Sequence, residues 1–309
     1  MPKLPEVTTT VNGLQKVLPK LIISDVWTDL AKKNQKIKQF KNTLKDEKFL
    51  KIFKEKVIGQ RITDVQRRAK NILINLDNGY TILIHLKMTG HLLCGEYHRI
   101  KNTKWVPDKK EKESLRDPYN RFIHVVFSLS NGKNLVFCDS RKFGKVTLIK
   151  TSDIENDSVF KKLGPEPLDN KFGLAQFRKR LLLKPNGKIK TVLMNQEIIA
   201  GIGNIYSDEM LWLAGIHPES ITKKIPENKL LILFKEMKKI LIKGVNFGGD
   251  SMSDYRNIDG KRGNFQNYHN VYRRNGEKCR KKSCKGVIIR KVINGRSAHF
   301  CNIHQKLFK

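Results

Sequence analysis

Short apolar runs separated by turn residues dominate the first half of the chain. Four of them have the length and composition of strands: NILINL, YTILIHL, FIHVVFSL and NLVFCD. Asn-Gly pairs at 78–79 and 131–132 lie between neighbouring runs and favour tight hairpins. Before the strands, TTTVNGLQKVL fits a helix, with Pro5 and Glu6 suited to its first turn. The pattern predicts a mainly antiparallel β-sandwich or barrel with a flanking helix over residues 1–150.

The second half changes to helical spacing. Four segments have apolar residues three and four apart: FGLAQFRKRLLLK, KTVLMNQEII, IYSDEMLWLAG and NKLLILFKEMKKILIKG. We therefore expect a helical domain over residues 151–265, followed by a small basic module over 266–309. Two stretches lack a readable pattern: we expect the lysine-rich residues 31–56 to be solvated surface and residues 96–120 to form a long polar loop.

The net charge of the chain indicates which classes of binding partner to expect. Lys and Arg number 62 against 29 Asp and Glu, a net charge of +33. Such an excess points first to nucleic acid and second to an anionic membrane surface. Residues 266–309 hold twelve Lys or Arg and a single acid, Glu277. No apolar run approaches the ~18 residues that span a bilayer, and the first 25 residues lack a signal-peptide core, so we expect a cytoplasmic protein.

The last module carries a candidate metal site. Cys279 and Cys284 form one close pair, Cys301 and His304 form another, and sixteen residues separate the pairs. Three thiolates and an imidazole at hairpin-sized spacing favour a structural zinc ion; the alternative is three unrelated cysteines and a histidine. The span between the pairs contains two strand-like runs around Asn-Gly at 294–295 and predicts a β-hairpin.

The segment AGIGNIYSDE, residues 200–209, lies between two helical segments. A dinucleotide-binding fingerprint would need a preceding strand and a third glycine where Tyr206 stands. Two readings remain: a simple interhelical turn, or a turn in which glycines admit a phosphate to backbone N–H groups with Asn204 as a further donor.

The N-terminus, MPKLPEV, raises a third chemical possibility. Removal of Met1 would give Pro2 a free secondary amine, and an α-amino group titrates near pH ~8. A neutral amine can form a Schiff base with an electrophilic carbon. Taken alone, the segment is more simply an ordinary N-terminus leading into a helix, since most N-termini have no chemical role.

Taken in order, eight short motifs resemble the bacterial formamidopyrimidine-DNA glycosylases and their endonuclease VIII relatives. They are MP-LPEV at the N-terminus, RRAK (67–70), HLKMTGHL (85–92), DSRKFG (139–144), LGPEPL (163–168), GIGNIYSDE (201–209), AGIHP (214–218) and the cysteine module. The resemblance spans essentially the whole chain, and LPEV favours the formamidopyrimidine branch. It implies an α+β fold: an N-terminal β-sandwich, a helix-two-turns-helix domain and a C-terminal zinc-finger hairpin.

The resemblance also implies an activity and a partner. Family members flip an oxidised purine, such as 8-oxoguanine or formamidopyrimidine, out of double-stranded DNA. The N-terminal proline amine attacks the sugar, the base leaves, and elimination from the Schiff base cuts the strand at the abasic site. We expect a monomeric DNA repair glycosylase and AP lyase with one zinc ion and no membrane partner.

Residue roles follow from the same motifs. Pro2 takes the nucleophile position, and Lys70 resembles the lysine that contacts phosphates beside the lesion. Met88, Arg141 and Phe143 resemble the group that fills the void left by the flipped base; ordinary core packing is the alternative for Met88 and Phe143. The remaining candidates for DNA contact are Asn204, Lys261, Tyr272 and Arg296, with solvated charge as the alternative for Arg296 and Lys70.

Two positions depart from the family pattern. Lys3 stands where the family has a glutamate that protonates the sugar ring oxygen, and an ordinary lysine ammonium, with a pKa near ~10.4, is a weak acid for that task. His304 stands where the family usually has cysteine, and the first cysteine pair is spaced more widely. Three functions stay open: an active glycosylase/lyase, a damage-binding protein with weakened excision, and a general nucleic-acid-binding protein.

Overall fold

The computed structural model describes residues 2–33, 35–100 and 104–309. It has the mixed α+β architecture that the sequence predicts, in two compact units. The first unit comprises the chain up to Phe160 together with Phe247–Asn264, and the second comprises Lys161–Asn246 together with Phe265–Lys309. No helix among the described residues is both long enough and apolar enough to cross a membrane.

The described residues contain the following helices and strands. The helices are α1 Leu4–Val17, α2 Glu47–Val57, α3 Ser158–Lys161, α4 Leu174–Leu181, α5 Ile189–Met194, α6 Asn204–Ala214 and α7 Glu227–Asn246. The strands are β1 Ile23–Thr28, β2 Ile62–Arg68, β3 Asn71–Leu76, β4 Tyr80–His85, β5 His91–Gly95, β6 Tyr97–Ile100, β7 Lys104–Pro107, β8 Ile123–Leu129, β9 Asn134–Cys138, β10 Lys145–Lys150, β11 Ile288–Ile293 and β12 Arg296–Cys301.

Two antiparallel four-stranded sheets form the first unit, in the orders β1-β8-β9-β5 and β10-β4-β3-β2. Buried side chains from both sheets join one core, as expected of a sandwich. Helix α1 packs on β2 and β3 and adds Val7, Val11 and Leu14 to that core. The sandwich, its flanking helix and the four strands read from the sequence are confirmed.

One end of the second sheet gathers three chain connections. In the register of that sheet, His85 at the end of β4 pairs with both Asn71 at the start of β3 and Lys145 at the start of β10. The β2–β3 turn with Lys70, the segment after β4 with Met88 and the segment before β10 therefore meet at this end of the sheet. We call it the Lys70 end.

A buried aspartate joins the two longer segments at the Lys70 end. The Oδ1 atom of Asp139 accepts the hydroxyl of Thr89 and the N–H of Arg141 (3.3 Å), and its Oδ2 atom accepts the N–H of Gly144 (2.6 Å). The Arg141 N–H also lies 3.2 Å from the Thr89 hydroxyl. Because Asp139 is almost fully buried, these bonds form away from water and fix the two segments relative to each other.

Glycines allow the same two segments to pack closely on Phe137. A Cβ atom at Gly90 would lie 2.8 Å from the ring of Phe137, and one at Gly144 would lie 2.3 Å from it. Both distances are shorter than van der Waals contact, so only glycine fits without displacing the ring. The glycines of HLKMTGHL and DSRKFG are therefore explained by packing.

Two sequence expectations for the first unit were wrong in part. Residues 47–57 form helix α2 within the lysine-rich stretch, and the side chains of Phe53 and Val57 on its apolar face are buried. The stretch 96–120 contains the antiparallel strand pair β6–β7 and short 3-10 turns rather than a continuous loop. Helix α2 was readable, because Phe49, Phe53 and Val57 recur four residues apart on one face.

The second unit combines helices with the C-terminal hairpin. Helix α6 packs against α5, α7 and β12 and is buried on nearly every side. The hairpin turns at Asn294 (φ 46°) and Gly295 (φ 74°), as the sequence predicts. Contacts group residues 247–264 with the first unit and the hairpin with the helices, whereas the predicted boundaries lie at 150 and 265. Those two boundaries stay predictions.

Substitution of Asp139 tests the link between the two segments. In Asp139→Asn an amide N–H₂ replaces one acceptor oxygen, which leaves a buried N–H or hydroxyl without its partner. We expect the amide hydrogens of Arg141 and Gly144 to exchange roughly 10- to 100-fold faster. The matched control is Asp254→Asn, since Asp254 accepts only the exposed hydroxyl of Ser140 (2.9 Å) in the same segment. Unchanged exchange in Asp139→Asn would contradict this role.

Candidate nucleic-acid interface and metal centre

The N-terminus is fixed by a buried glutamate. The Oε2 atom of Glu6 accepts the N–H of Lys3 (2.6 Å), and its Oε1 atom accepts the N–H of Asp250 (2.9 Å). The carbonyl of Glu6 accepts the hydroxyl of Tyr255 (2.9 Å). Glu6 therefore ties the first turn of α1 to residues 250–255 of the same unit.

Lys3 occupies the N-cap position of α1. Its φ and ψ are extended, and its side chain is only 6 % exposed. An ammonium has no acceptor atom, so Lys3 cannot complete a reciprocal capping box, and only the bond from its N–H to Glu6 forms. Pro2, immediately before it, is also buried.

Hydrogen bonds along α1 show which end of the sheet the N-terminus approaches. The N–H of Lys20 donates to the carbonyl of Ile62 (2.8 Å), and the side chain of Gln15 donates to that of Val65 (2.8 Å), so α1 runs antiparallel to β2. The helix rises about 16 Å from Gln15 back to its first residue, and β2 rises about 10 Å in the same direction from Val65 to Arg68, where the turn with Lys70 begins. The N-terminus and Lys70 therefore lie at the same end of the unit.

Lys70 sits in a strained turn. Ala69 before it has φ 55°, a conformation that a residue with a Cβ atom rarely adopts. The side chain of Arg67 donates to the Ala69 carbonyl (2.9 Å), and that of Asn71 donates to the Arg68 carbonyl (3.2 Å). These bonds hold the turn in place, and the Lys70 side chain is largely buried.

His85 lies beside Lys70 in the register of the sheet. Its burial and the charges of Lys87 and Lys70 lower its pKa to about 3, so the imidazole is neutral. The Nδ1 atom accepts the N–H of Lys87 (3.0 Å). His85 belongs to the HLKMTGHL motif but was not among the predicted site residues.

Met88, Arg141 and Phe143 project from the Lys70 end. Met88 is 41 % exposed and Phe143 44 %, so neither packs in the core. The guanidinium of Arg141 lies over the ring of Phe143, 4.6 Å from its centroid. Their neighbours Lys87 (φ 52°) and Lys142 (φ 55°) adopt left-handed conformations that turn the chain sharply at both places.

Lys261 also belongs to the first unit and is exposed. Its N–H donates to the side-chain oxygen of Asn257 (2.9 Å), and its carbonyl accepts the Asn257 N–H (2.9 Å). A closed turn therefore presents the lysine to solvent.

In the second unit, Asn204 begins α6 after a turn shaped by Gln196. The Gln196 side chain accepts the N–H of Gly201 (2.9 Å) and donates to the carbonyl of Ile202 (3.0 Å). Gly201 has φ 84°, which favours glycine. The Oδ1 atom of Asn204 is buried and has no hydrogen-bond partner among the described residues.

Two buried acids of α6 organise the other candidates in this unit. Glu209 accepts the N–H groups of Asn270, Val271 and Tyr272 at 2.8 to 3.0 Å. Asp208 accepts both the N–H (3.0 Å) and the Nδ1 atom (3.1 Å) of His299 in β12 and pairs with Lys190.

Helix α6 thereby links three of the predicted residues. Asn204 starts the helix, Glu209 holds Tyr272, and Asp208 fastens the hairpin whose exposed Arg296 begins β12. Asp208 and Glu209 were missed as site-forming residues. The signal was present: two adjacent acids in an otherwise apolar helix of a strongly basic chain.

The four predicted metal ligands converge. The ligand atoms of Cys279, Cys284, Cys301 and His304 all lie within 4.8 Å of one another. The Cys279 sulfur lies 3.3 Å from His304 Nδ1, and the sulfurs of Cys284 and Cys301 lie 3.6 Å apart. Ligands of a tetrahedral ion with bonds of 2.0 to 2.3 Å are about 3.3 to 3.8 Å apart. The quartet can hold one metal ion.

The surroundings suit the quartet to ligation. The Nε2 atom of His304 lies 3.0 Å from the carbonyl of Trp212, so it carries the hydrogen and Nδ1 keeps its lone pair toward the cysteines. The indole N–H of Trp212 donates to the Cys279 sulfur (3.3 Å), and the N–H of Gly286 donates to the Cys284 sulfur (3.3 Å). The Gly286 bond lowers the pKa of Cys284 and favours its thiolate.

Comparison with known proteins agrees with these features. The model of the formamidopyrimidine-DNA glycosylase N-terminal domain matches residues 1–146, and that of the formamidopyrimidine-DNA glycosylase H2TH domain matches residues 163–256. Curated formamidopyrimidine-DNA glycosylases from Pelotomaculum thermopropionicum and Caulobacter vibrioides are each 36 % identical, with 99 % of this chain and 100 % of each relative covered.

Solved structures of Lactococcus lactis Fpg are similar along the whole chain. A complex with DNA containing an abasic site has a TM-score of 0.80 at 30 % identity and covers 98 % of this chain and 99 % of that one. A variant in complex with Fapy-dG containing DNA has the same TM-score and identity, and covers 99 % and 100 %. The two-sheet first unit, the helical second unit and the cysteine hairpin are thus shared in sequence and structure, and the chain belongs to the formamidopyrimidine-DNA glycosylase family.

Proposed function

We propose that the chain is a DNA repair glycosylase that removes oxidised purines from double-stranded DNA and cuts the strand through a Schiff base on Pro2. The observation that carries this proposal is the gathering at the Lys70 end. The N-terminus, Lys70 and the exposed Met88, Arg141 and Phe143 come from distant parts of the chain to one end of one unit. A nucleophile, a phosphate-binding lysine and an apolar wedge are the parts that base flipping and excision require.

The proposed reaction starts at the Pro2 nitrogen after removal of Met1. The neutral amine attacks C1′ of the damaged nucleotide, and the bond from C1′ to the base breaks with its electron pair on the base, which takes up a proton. Opening of the sugar ring places a second proton on O4′ and leaves an iminium between C1′ and Pro2. Loss of a C2′ proton then expels the 3′ phosphate and cuts the strand.

DNA contacts divide between the two units. In the first, Lys70 and Lys261 supply charge, and Met88, Arg141 and Phe143 occupy the gap and address the unpaired base. In the second, the Asn204 amide, Tyr272 and Arg296 contact backbone phosphates. The turn shaped by Gln196 supports this assignment, because it places Asn204 at the start of α6, where backbone N–H groups can bind an anion.

A second function follows from Lys3. Proton delivery to O4′ needs an acid, and Lys3 stands at the position of the family glutamate. Glu6 is not a substitute in this arrangement, because both of its oxygens are engaged in accepting backbone N–H groups. The alternative is therefore a protein that binds damaged or abasic DNA and retains Schiff-base chemistry but excises bases slowly.

We propose zinc as the ion of the cysteine hairpin. Three thiolates and one imidazole whose ligand atoms lie within 4.8 Å of one another fit zinc better than harder cations. When bound, the ion would supply folding free energy to a module with a small core. Cys279, Cys284, Cys301 and His304 would be its ligands.

Borohydride trapping tests the nucleophile. We expect the wild-type protein to form a covalent complex with both an 8-oxoguanine duplex and an abasic duplex, because reduction converts the iminium to a stable amine. The matched control is a variant with one glycine inserted before Pro2, which displaces the secondary amine. Absence of trapping on both duplexes would refute the proposed function, and trapping on the abasic duplex alone would favour the second function.

The role of Lys3 is tested by two substitutions. Lys3→Glu should raise the rate of 8-oxoguanine excision by about 10²–10⁴, the usual contribution of a general acid. Lys3→Gln removes the charge without supplying an acid and should leave excision within a few-fold of wild type. Single-turnover excision assays measure both. Equal rates for wild type and Lys3→Glu would show that Lys3 does not limit the chemistry.

Metal content tests the ion assignment. Elemental analysis should find about one zinc per chain, and His304→Cys should keep it because thiolate and imidazole both bind zinc. His304→Ala should lose the metal and open the hairpin, seen as faster hydrogen exchange in residues 279–304. A folded hairpin with no bound metal, or full zinc content in His304→Ala, would overturn the assignment.

A further inference from the structure

Three lysines outside the predicted site gather beside it. Lys145 is the first residue of β10 and pairs with His85, the last residue of β4. Lys87 lies two residues after His85. Neighbouring strands lie about 5 Å apart, so the Lys87 and Lys145 side chains can reach a common point. Lys45 joins them from a different segment, since the N–H of Leu44 donates to the carbonyl of Val146 (3.0 Å).

Charge couples the three lysines. Burial, together with the charges of Lys145 and Lys87 and against the opposing effect of Asp139, lowers the pKa of Lys45 to about 8. Burial and then the charge of Lys145 lower the pKa of Lys87. Lys145 therefore lies at the centre of an unfavourable cluster of like charges.

Among the described residues, two of the three lysines lack a carboxylate partner. Within residues 2–33, 35–100 and 104–309, neither Lys87 nor Lys145 forms an ion pair with a carboxylate. Asp139, the nearby acid, is buried and already accepts the N–H groups of Arg141 and Gly144. A cluster of half-buried ammonium groups without a counter-ion is a site prepared for an anion.

Lys45 also connects the lysine cluster to the segment that carries Arg141 and Phe143. Its ammonium donates to the carbonyl of Lys142 (2.5 Å) and lies 3.8 Å from the centroid of the Phe40 ring, and its side chain is only 5 % exposed. Lys142 is the left-handed residue between Arg141 and Phe143. Lys45 thus supports the segment that carries Arg141 and Phe143, while Lys87 and Lys145 are partly exposed.

We propose that Lys145 and Lys87 together bind one backbone phosphate of the DNA, with Lys45 as a positioning residue beneath them. A phosphodiester carries the charge that the cluster lacks, and its oxygens accept two ammonium groups at once. The site lies at the Lys70 end, next to Met88 and Phe143, so it would hold the backbone where the wedge enters the duplex. This inference rests on the proposed DNA-binding function.

Binding to a duplex with a tetrahydrofuran abasic-site analogue tests the site. Lys145→Gln should weaken binding by about 10-fold, the size of a charged hydrogen bond, and lower the slope of log affinity against log salt by about 0.9. Lys145→Arg should retain most of the affinity. Lys150→Gln is the matched control, because Lys150 lies at the other end of the same strand, opposite Tyr80. Equal affinities for Lys145→Gln and Lys150→Gln would overturn the proposal.

Two further measurements address the shared phosphate. If Lys87 and Lys145 hold the same phosphate, the double variant loses less affinity than the product of the two single losses; a full product would mean separate contacts and overturn the proposal. A scan of single methylphosphonates around the lesion needs no variant. One position should weaken wild-type binding and have no effect on Lys145→Gln, and the absence of such a position would also overturn it.

The same experiments separate this inference from the proposed function. If the wild-type protein fails to bind the tetrahydrofuran duplex and forms no borohydride adduct, the DNA repair function itself fails. If the wild type binds and is trapped while Lys145→Gln matches Lys150→Gln, only the lysine site is refuted.

Discussion

Buried carboxylates that accept backbone N–H groups hold the candidate site together. Glu6 fixes the N-terminus, Asp139 joins the segments that carry Met88 and Phe143, and two acids of α6 hold Tyr272 and the hairpin. Each lies in the interior, where such charged hydrogen bonds are strong and the loss of a partner is costly. The chain has few acids, and the buried ones named here have structural positions.

Because these acids lie in the interior, they do not offset the charge of the Lys and Arg side chains on the surface. With 62 Lys and Arg against 29 acids, and several of the acids committed to the interior, the surface carries a strong positive field that attracts DNA and makes binding depend on salt. The field alone gives no lesion specificity. In the proposed function, lesion specificity requires fixed positions of Pro2, Lys70 and the exposed side chains of Met88 and Phe143. Glu6 fixes the N-terminus, and Asp139 fixes the segments that carry Met88 and Phe143.

Much of this was readable from the sequence. Strands between Asn-Gly turns, the C-terminal hairpin and the four converging metal ligands depend on local patterns and close spacing, and the structure confirms them. Helix α2 was missed although Phe49, Phe53 and Val57 recur four residues apart in its sequence. Strands β6 and β7 were missed because four residues each are too few to show an alternation. The lysine cluster could not be predicted, since it depends on which strands pair and in which register. The roles of the individual site residues stay predictions.

The central claim is that the Pro2 nitrogen, and not a lysine, forms the bond to DNA. It has two rivals nearby, because Lys3 is adjacent in sequence and Lys70 lies at the same end of the unit. The most direct measurement is peptide mapping by tandem mass spectrometry of the protein reduced with borohydride on an abasic duplex. We expect the sugar fragment on the α-nitrogen of Pro2 in a chain that lacks Met1. A fragment on the side chain of Lys3 or Lys70 would contradict the account.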